Sequence, residues 1–259
     1  MDTERLFSGT ASFYSRFRLP YPSTIFEEIL SEYTPDGSGS LLDLGCGTGE
    51  VIVPLARYFG EAYGIDINSE MLEMARKRAE QSGITIIEWK QVSAERIDEV
   101  GTSFDLITAG NSFHWMDRET VLRTCHNRLA DNGGMVILAG GSVWNGESEW
   151  QNKSVEVIQR YLGVERRAGG STYKVEKRHE DFIAASPFKL IKKFDVTSEH
   201  ERTVEDIIGY LFSTSFSKAE HFGSRVDEFQ EELTRELIAL NPKGVFTERM
   251  ETTCFFLRK

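Results

Sequence analysis

Along the first half of the chain, short apolar runs alternate with stretches of helical period. Ser40–Leu44 is an apolar run that ends in a cluster of glycines, which predicts a buried strand. Glu50–Phe59 follows with Val51, Leu55 and Tyr58 at helical spacing, a helix that Pro54 should kink or leave with an irregular first turn. Ala62–Ile65 reads as a second strand. Asn68–Gln81 reads as an amphipathic helix, opened by the cap residues Asn68 and Ser69 and stopped by Gly83. Ile84–Trp89 and Phe104–Thr108 are the third and fourth strands, Arg118–Leu129 a helix, and Gly134–Ala139 a fifth strand. Strands alternating with helices of this length imply βαβ units and a parallel sheet, hence an α/β fold.

After Ala139 the rhythm changes. Residues 140–178 are polar, with Trp144 and Trp150, a helical signal over Glu149–Leu162 and a loose loop at Ala168–Ser171. Lys189–Glu199 alternates apolar and polar positions, as a half-buried strand does. Thr203 to about Ser213 reads as a capped helix, Ser224–Leu240 as another, and Glu251–Arg258 as a closing strand. The expected organisation is one domain: an N-terminal segment over residues 1–39, a core over 40–139, an insertion over 140–186 that covers the carboxyl edge of the sheet, and a completion of the sheet over 187–259.

Composition narrows the classes. The 259 residues can bury a full core without staples, and 40% hydrophobic with 27% charged residues excludes a disordered chain. Thirty basic against 41 acidic side chains give a net charge of −11, which argues against a nucleic-acid partner. Cys46, Cys125 and Cys254 are far apart, with no C-x-x-C pair, so neither a disulfide framework nor a metal site is expected. No apolar segment has the length of a signal region or a membrane span, so the expectation is a cytoplasmic protein without a membrane partner.

The segment Leu41-Leu42-Asp43-Leu44-Gly45-Cys46-Gly47-Thr48-Gly49-Glu50 carries the chemistry. A glycine-rich turn between a strand and a helix lets backbone amides approach a ligand at the carboxyl end of a sheet. A dinucleotide site would need glycine at position 50, where Glu50 would repel a pyrophosphate; a nicotinamide oxidoreductase is therefore the weaker rival. Asp43 and Glu50 bracket the loop with negative charge, which favours a cationic ligand. Asp66, at the end of the second strand, stands where a carboxylate accepts both hydroxyls of a ribose. The bland alternative is a tight turn followed by a helix N-cap.

With these pieces, Gly64-Ile65-Asp66-Ile67-Asn68 with Met71-Leu72, and Phe104-Asp105-Leu106-Ile107 leading to Phe113-His114-Trp115, the chain resembles the class I S-adenosylmethionine-dependent methyltransferases over roughly residues 10–140. The resemblance implies a Rossmann-like, seven-stranded, mostly parallel sheet with helices on both faces and a lid after strand five. It implies S-adenosylmethionine as cofactor and S-adenosylhomocysteine as product. Carried over position by position, it implies a cofactor site of Asp43, Gly45, Cys46, Gly47 and Gly49 at the methionine portion and Asp66 on the ribose. Ile67 and Met71 would pack on the adenine, Ser93-Ala94-Glu95 would stand at its amino edge, and Asn111 would also belong to the cofactor site. Ser93 replaces the acid usual there, leaving backbone atoms of Ala94 to make that contact. Cys46 reads as a packing residue rather than a nucleophile.

For the acceptor, the segment Asn111–Asp117 looks like that of small-molecule methyltransferases acting on carboxylic acids, such as the trans-aconitate and juvenile-hormone-acid enzymes. His114 either positions the acceptor or serves as base, and Trp115 either packs or forms a cage. The lead-in Phe13–Pro22 resembles a segment that folds over the cofactor, with Tyr14 or Arg18 on the methionine carboxylate; its bland alternative is a solvated basic stretch. Tyr21, Trp144 and Tyr210 complete the candidate acceptor residues, Tyr210 being equally a core residue. His126, His179, His200 and His221 show no ligand spacing and read as surface residues. The expected partner is a small molecule, a carboxylate first and an amine or hydroxyl as alternative, bound by a monomer or homodimer. A non-catalytic protein of the same fold is the other class.

Overall fold

The computed structural model describes residues 6–101, 103–168, 171–172 and 177–259. They divide into two compact units. Unit 2 comprises Pro20–Ala139, Val175–Val196 and Thr252–Lys259; unit 1 comprises Met1–Leu19, Gly140–Lys174 and Thr197–Glu251.

Unit 2 begins with helix α2 (Ser23–Tyr33), α1 being the Ala11–Phe17 helix of unit 1. Strand β1 (Ser40–Leu44) leads through the glycine loop to α3 (Ile52–Ala56), then β2 (Glu61–Asp66), α4 (Ser69–Gln81) and β3 (Ile87–Gln91). β4 (Phe104–Gly110), α5 (Arg118–Arg128) and β5 (Leu129–Gly140) follow. With β8 (Lys189–Thr203) and β9 (Val245–Arg258) they form a seven-stranded, mostly parallel sheet in the order β3-β2-β1-β4-β5-β9-β8. β1 pairs in parallel with β2 and β4, β2 with β3, and β4 with β5.

Alternation along the strands sorts side chains to two faces. Leu42, Leu44, Ile107, Ala109, Met135, Ile137, Phe255 and Leu257 pack on one face with Val121, Leu122 and Cys125 of α5. Leu41, Leu106, Val136, Leu138, Cys254 and Phe256 pack on the other with Ile25 and Ile29 of α2, Ile52 and Leu55 of α3, and Leu72 of α4. Helices on both faces bury a central strand on both sides, which is why β1 reads as a continuous apolar run rather than an alternating one.

Several expected boundaries move: β5 starts at Leu129 rather than Gly134, β8 runs to Thr203 rather than Glu199, and β9 starts at Val245 rather than Glu251. The helix expected over Glu50–Phe59 is confined to α3, because Thr48–Val51 form turns and Pro54 has no N–H to donate. The third strand begins at Ile87 rather than Ile84, because the Ile84 N–H closes the end of α4 on the Ala79 carbonyl at 2.9 Å.

In unit 1, α6 (Glu149–Leu162), α8 (Val204–Phe212) and α9 (Val226–Leu240) pack around Phe17, Val157, Leu211, Phe229, Leu233 and Leu237. α8 opens with Thr203, whose hydroxyl accepts the Asp206 N–H while the Asp206 carboxylate reaches back. A two-stranded ladder joins β6 (Arg167–Ala168) to β7 (Ser171–Thr172); the expected loop between them, at Gly169 and Gly170, lies outside the described residues. No helix among the described residues is long and apolar enough to cross a membrane.

Candidate functional site

The strand order turns back between β1 and β4, since β1 connects toward β2 on one side while β4 and β5 lie on the other. In open α/β sheets ligands bind at the carboxyl ends of the strands beside such a reversal. The loop after β1 carries Gly45, Cys46, Gly47 and Gly49; the loop after β4 carries Asn111, Ser112, His114 and Trp115.

The two loops touch. The Ser112 hydroxyl donates to the Leu44 carbonyl at 2.6 Å. Gly45 has φ +58°, and a Cβ there would lie 2.7 Å from Ser112 Cβ, so only glycine fits. Asn111 has φ +50° and donates its N–H to the Leu138 carbonyl at 2.9 Å, which turns the second loop away from the sheet. Tyr21 also reaches this edge: a Cβ on Gly110 would meet its hydroxyl at 3.0 Å.

Asp66 ends β2 with both carboxylate oxygens engaged by backbone: Oδ2 accepts from Gly47 N–H at 2.9 Å and Oδ1 from Asn68 N–H at 2.8 Å. Each oxygen keeps a lone pair. Burial raises its pKa, against these hydrogen bonds, and among the described residues no cation pairs with it. Asp43 is fully buried and accepts the Thr108 hydroxyl at Oδ1, 2.7 Å away. Burial, with Glu50 and Asp66 nearby, raises Asp43 to about 7.

Glu50 departs from expectation. It lies in an ion pair with Arg78 of α4 at 2.7 Å and accepts from the Thr48 hydroxyl, while Arg78 Nε donates to the Thr48 carbonyl at 2.8 Å. Its charge is thus neutralised inside the loop. The Cys46 thiol is buried and pushed well above its ordinary pKa by desolvation and by Asp66 and Asp43, so it packs rather than attacks.

Among the adenine candidates, Ile67 is half-buried, whereas Met71 is 3% exposed inside α4. Ser93 caps the 3-10 turn Ala94–Glu99, Ala94 is buried, and the Glu95 carboxylate accepts the Asp117 N–H at 2.9 Å. The His114 and Trp115 rings lie tilted by 45° to each other with centroids 4.6 Å apart.

Tyr14, Arg18, Trp144 and Tyr210 lie in unit 1. The Arg18 guanidinium stands 4.7 Å from the Tyr14 ring and 5.0 Å from the Tyr210 ring, and its Nε donates to Ser213 Oγ at 2.8 Å. Tyr210 is buried, and Trp144 packs edge-on to Phe216 at 5.8 Å. The lead-in is not a solvated stretch: Phe17 is buried, and a Cβ on Gly209 would clash with its ring at 2.3 Å.

Sequence reading missed His179. It is half-buried rather than on the surface, 5.4 Å from Phe113 and 6.5 Å from His114 between ring centroids. The one local signal was its place at the start of α7 (His179–Ala184), beside the apolar Phe182-Ile183 pair.

The residues present suit an S-adenosyl ligand. A glycine at Gly45 that no side chain can replace leaves backbone at the loop surface, and Asp66, which no cation neutralises among the described residues, keeps lone pairs for a diol. A family model described as a methyltransferase domain matches residues 41–133. An uncharacterized methyltransferase of Schizosaccharomyces pombe is 24% identical over 95% of this chain and 92% of its own length. The juvenile hormone acid O-methyltransferase of Drosophila melanogaster is 31% identical over 44% of this chain and 41% of its own. The fold matches geranyl diphosphate C-methyltransferase from Streptomyces coelicolor, solved with S-adenosylhomocysteine, at TM-score 0.50 and 15% identity over 91% of this chain and 75% of that one. The matched domain, these relatives and the shared fold together support a class I S-adenosylmethionine-dependent methyltransferase, with S-adenosylmethionine as cofactor and S-adenosylhomocysteine as product.

Proposed function

We propose that this methyltransferase acts on a small-molecule acceptor at a carboxylate oxygen, with an amine or hydroxyl acceptor as the second reading. The observation that carries the proposal is the His114 loop after β4, aromatic on both sides and joined to the glycine loop through Ser112. The acid named for the Drosophila relative supports the same reading.

Bound S-adenosylmethionine supplies an electrophilic methyl group. The chain's part is to hold the partners in line, which can contribute roughly 7–11 kcal/mol. Asp66 takes the ribose hydroxyls, the Gly45–Gly49 backbone takes the methionine portion, Ile67 covers the adenine, and Ser93 and Ala94 meet its edge. Tyr21 and Trp115 are assigned to the acceptor. The protein is expected to work in the cytoplasm as a monomer or homodimer on free small molecules, not nucleic acid.

A carboxylate, with a reference pKa near ~4, is already ionised at neutral pH and needs no base, so His114 then positions it. The test is transfer of labelled methyl to a panel of acids, phenols and amines. The account expects base-labile methyl esters. It also expects His114→Gln to cost about 10-fold with a flat pH profile, whereas loss of a true base costs on the order of 10²–10⁴. Label appearing only in ethers or methylamines would favour the second reading.

A further inference from the structure

His179 Nδ1 is fully buried, and among the described residues nothing hydrogen-bonds it. Buried polar nitrogens without partners are rare in native interiors, and each calls for an explanation. Capping does not supply one: the start of α7 is closed by its neighbours, the Arg178 N–H donating to Asp181 Oδ2 at 2.9 Å. The ring is walled by Phe113 at 5.4 Å and Phe255 at 6.2 Å, and beyond Phe113 in the chain stands His114 at 6.5 Å.

The charged groups around it are Arg118 of α5, which lies over the Phe182 ring at 3.9 Å, and Glu180, paired with Lys193 of β8 at 2.8 Å. Burial first, then Arg118, lower the His179 pKa, against Glu180. At neutral pH the ring is uncharged and carries one N–H.

The spacing of the two imidazoles is informative. A direct hydrogen bond needs ring nitrogens within about 3.2 Å, which puts centroids closer than roughly 5.5 Å. The observed 6.5 Å, with planes tilted by 45°, is too long for that. It suits one oxygen atom hydrogen-bonded to both rings.

We propose that His179 is a second acceptor-binding residue, which with His114 forms a two-imidazole seat for one carboxylate oxygen of the acceptor. His179 donates from Nδ1–H, and His114 donates from one ring nitrogen. Trp115, beside His114, fits an acid with an apolar or aromatic body. This inference rests on the reading that the acceptor is met at the loop after β4.

The test uses protein labelled with ¹⁵N-histidine and saturated with S-adenosylhomocysteine, with benzoate as probe and methyl benzoate as its uncharged control. Benzoate should shift the ring nitrogens of both His114 and His179, and His179 should carry its proton on Nδ1; methyl benzoate should move neither. In His179→Phe the benzoate dissociation constant should rise about 10-fold, with S-adenosylhomocysteine affinity within twofold of wild type. His179→Asn, whose amide overlays Nδ1, should recover most of the loss. Benzoate acting on His114 alone, equal benzoate affinity in His179→Phe, or no benzoate binding to a protein that binds S-adenosylhomocysteine normally overturns the seat and leaves methyl transfer standing. Failure of the wild type to bind S-adenosylhomocysteine overturns the methyltransferase reading, and the seat falls with it.

Discussion

Unit 2 and unit 1 both bury charge, and they treat it in opposite ways. In unit 1 the Arg202 side chain is 4% exposed and fully answered: Nε donates to Glu248 at 2.6 Å and Nη1 to the Phe17 carbonyl at 2.6 Å. The buried hydroxyls of Ser213, Thr214 and Ser217 likewise donate to the carbonyls of Tyr210 and Leu211 at the end of α8. In unit 2 the Glu50 charge is neutralised by Arg78, yet Asp43 and Asp66 are answered only by a hydroxyl and by backbone N–H groups. Charge buried for the sake of the fold is paired within the fold. Charge left without a cation beside a strand reversal suits the S-adenosyl ligand proposed for this site.

The contrast breaks first at Arg202. Arg202→Met leaves Glu248 buried and alone, and should cost about 3–5 kcal/mol in denaturant unfolding. Arg202→Met with Glu248→Leu should restore most of it. A single variant as stable as wild type would mean that the pair is not what holds this part of unit 1.

Asp43 sharpens the other side. Its carboxyl ionises near 3.8 in an unfolded chain and at about 7 in the folded one. Between those values the folded state keeps a proton that the unfolded state has released, so stability falls as pH rises through that window, then stays level. The full swing is up to roughly 4 kcal/mol, and Asp43→Asn should flatten it. An unchanged pH dependence in Asp43→Asn would place the titration elsewhere.

Asp66→Ala should weaken S-adenosylhomocysteine binding by about 1.5–3 kcal/mol, the range for a hydrogen bond to a charged group, in a protein that stays folded. Calorimetry giving wild-type affinity would remove Asp66 from the ribose.

These differences also decide what can be read before a structure is known. β1, α4 with its Asn68 cap, and α6 are legible because each is specified by its own run of residues: apolar continuity, a side chain capping the next two amides, a 3.6-residue stripe. The glycine loop and Asp66 are legible for the same reason, since their chemistry lies in one strand–turn–helix and the strand beside it. Glu50 was misread because its partner, Arg78, comes from the following helix and only the fold brings them together. α2 carried a signal in Ile25, Phe26, Ile29 and Leu30, behind Pro22, which reads as punctuation unless the helix after it is recognised. His179 was invisible because Phe113 and Phe255, which bury it, belong to distant segments.

The central claim is that the unneutralised carboxylates of unit 2 hold an S-adenosyl ligand and exclude a dinucleotide. Titration calorimetry of the wild-type protein with S-adenosylhomocysteine and, separately, with NAD tests it most directly. The account predicts saturable one-site binding of S-adenosylhomocysteine and no heat of binding with NAD. Binding of NAD, or no binding of S-adenosylhomocysteine, would contradict it.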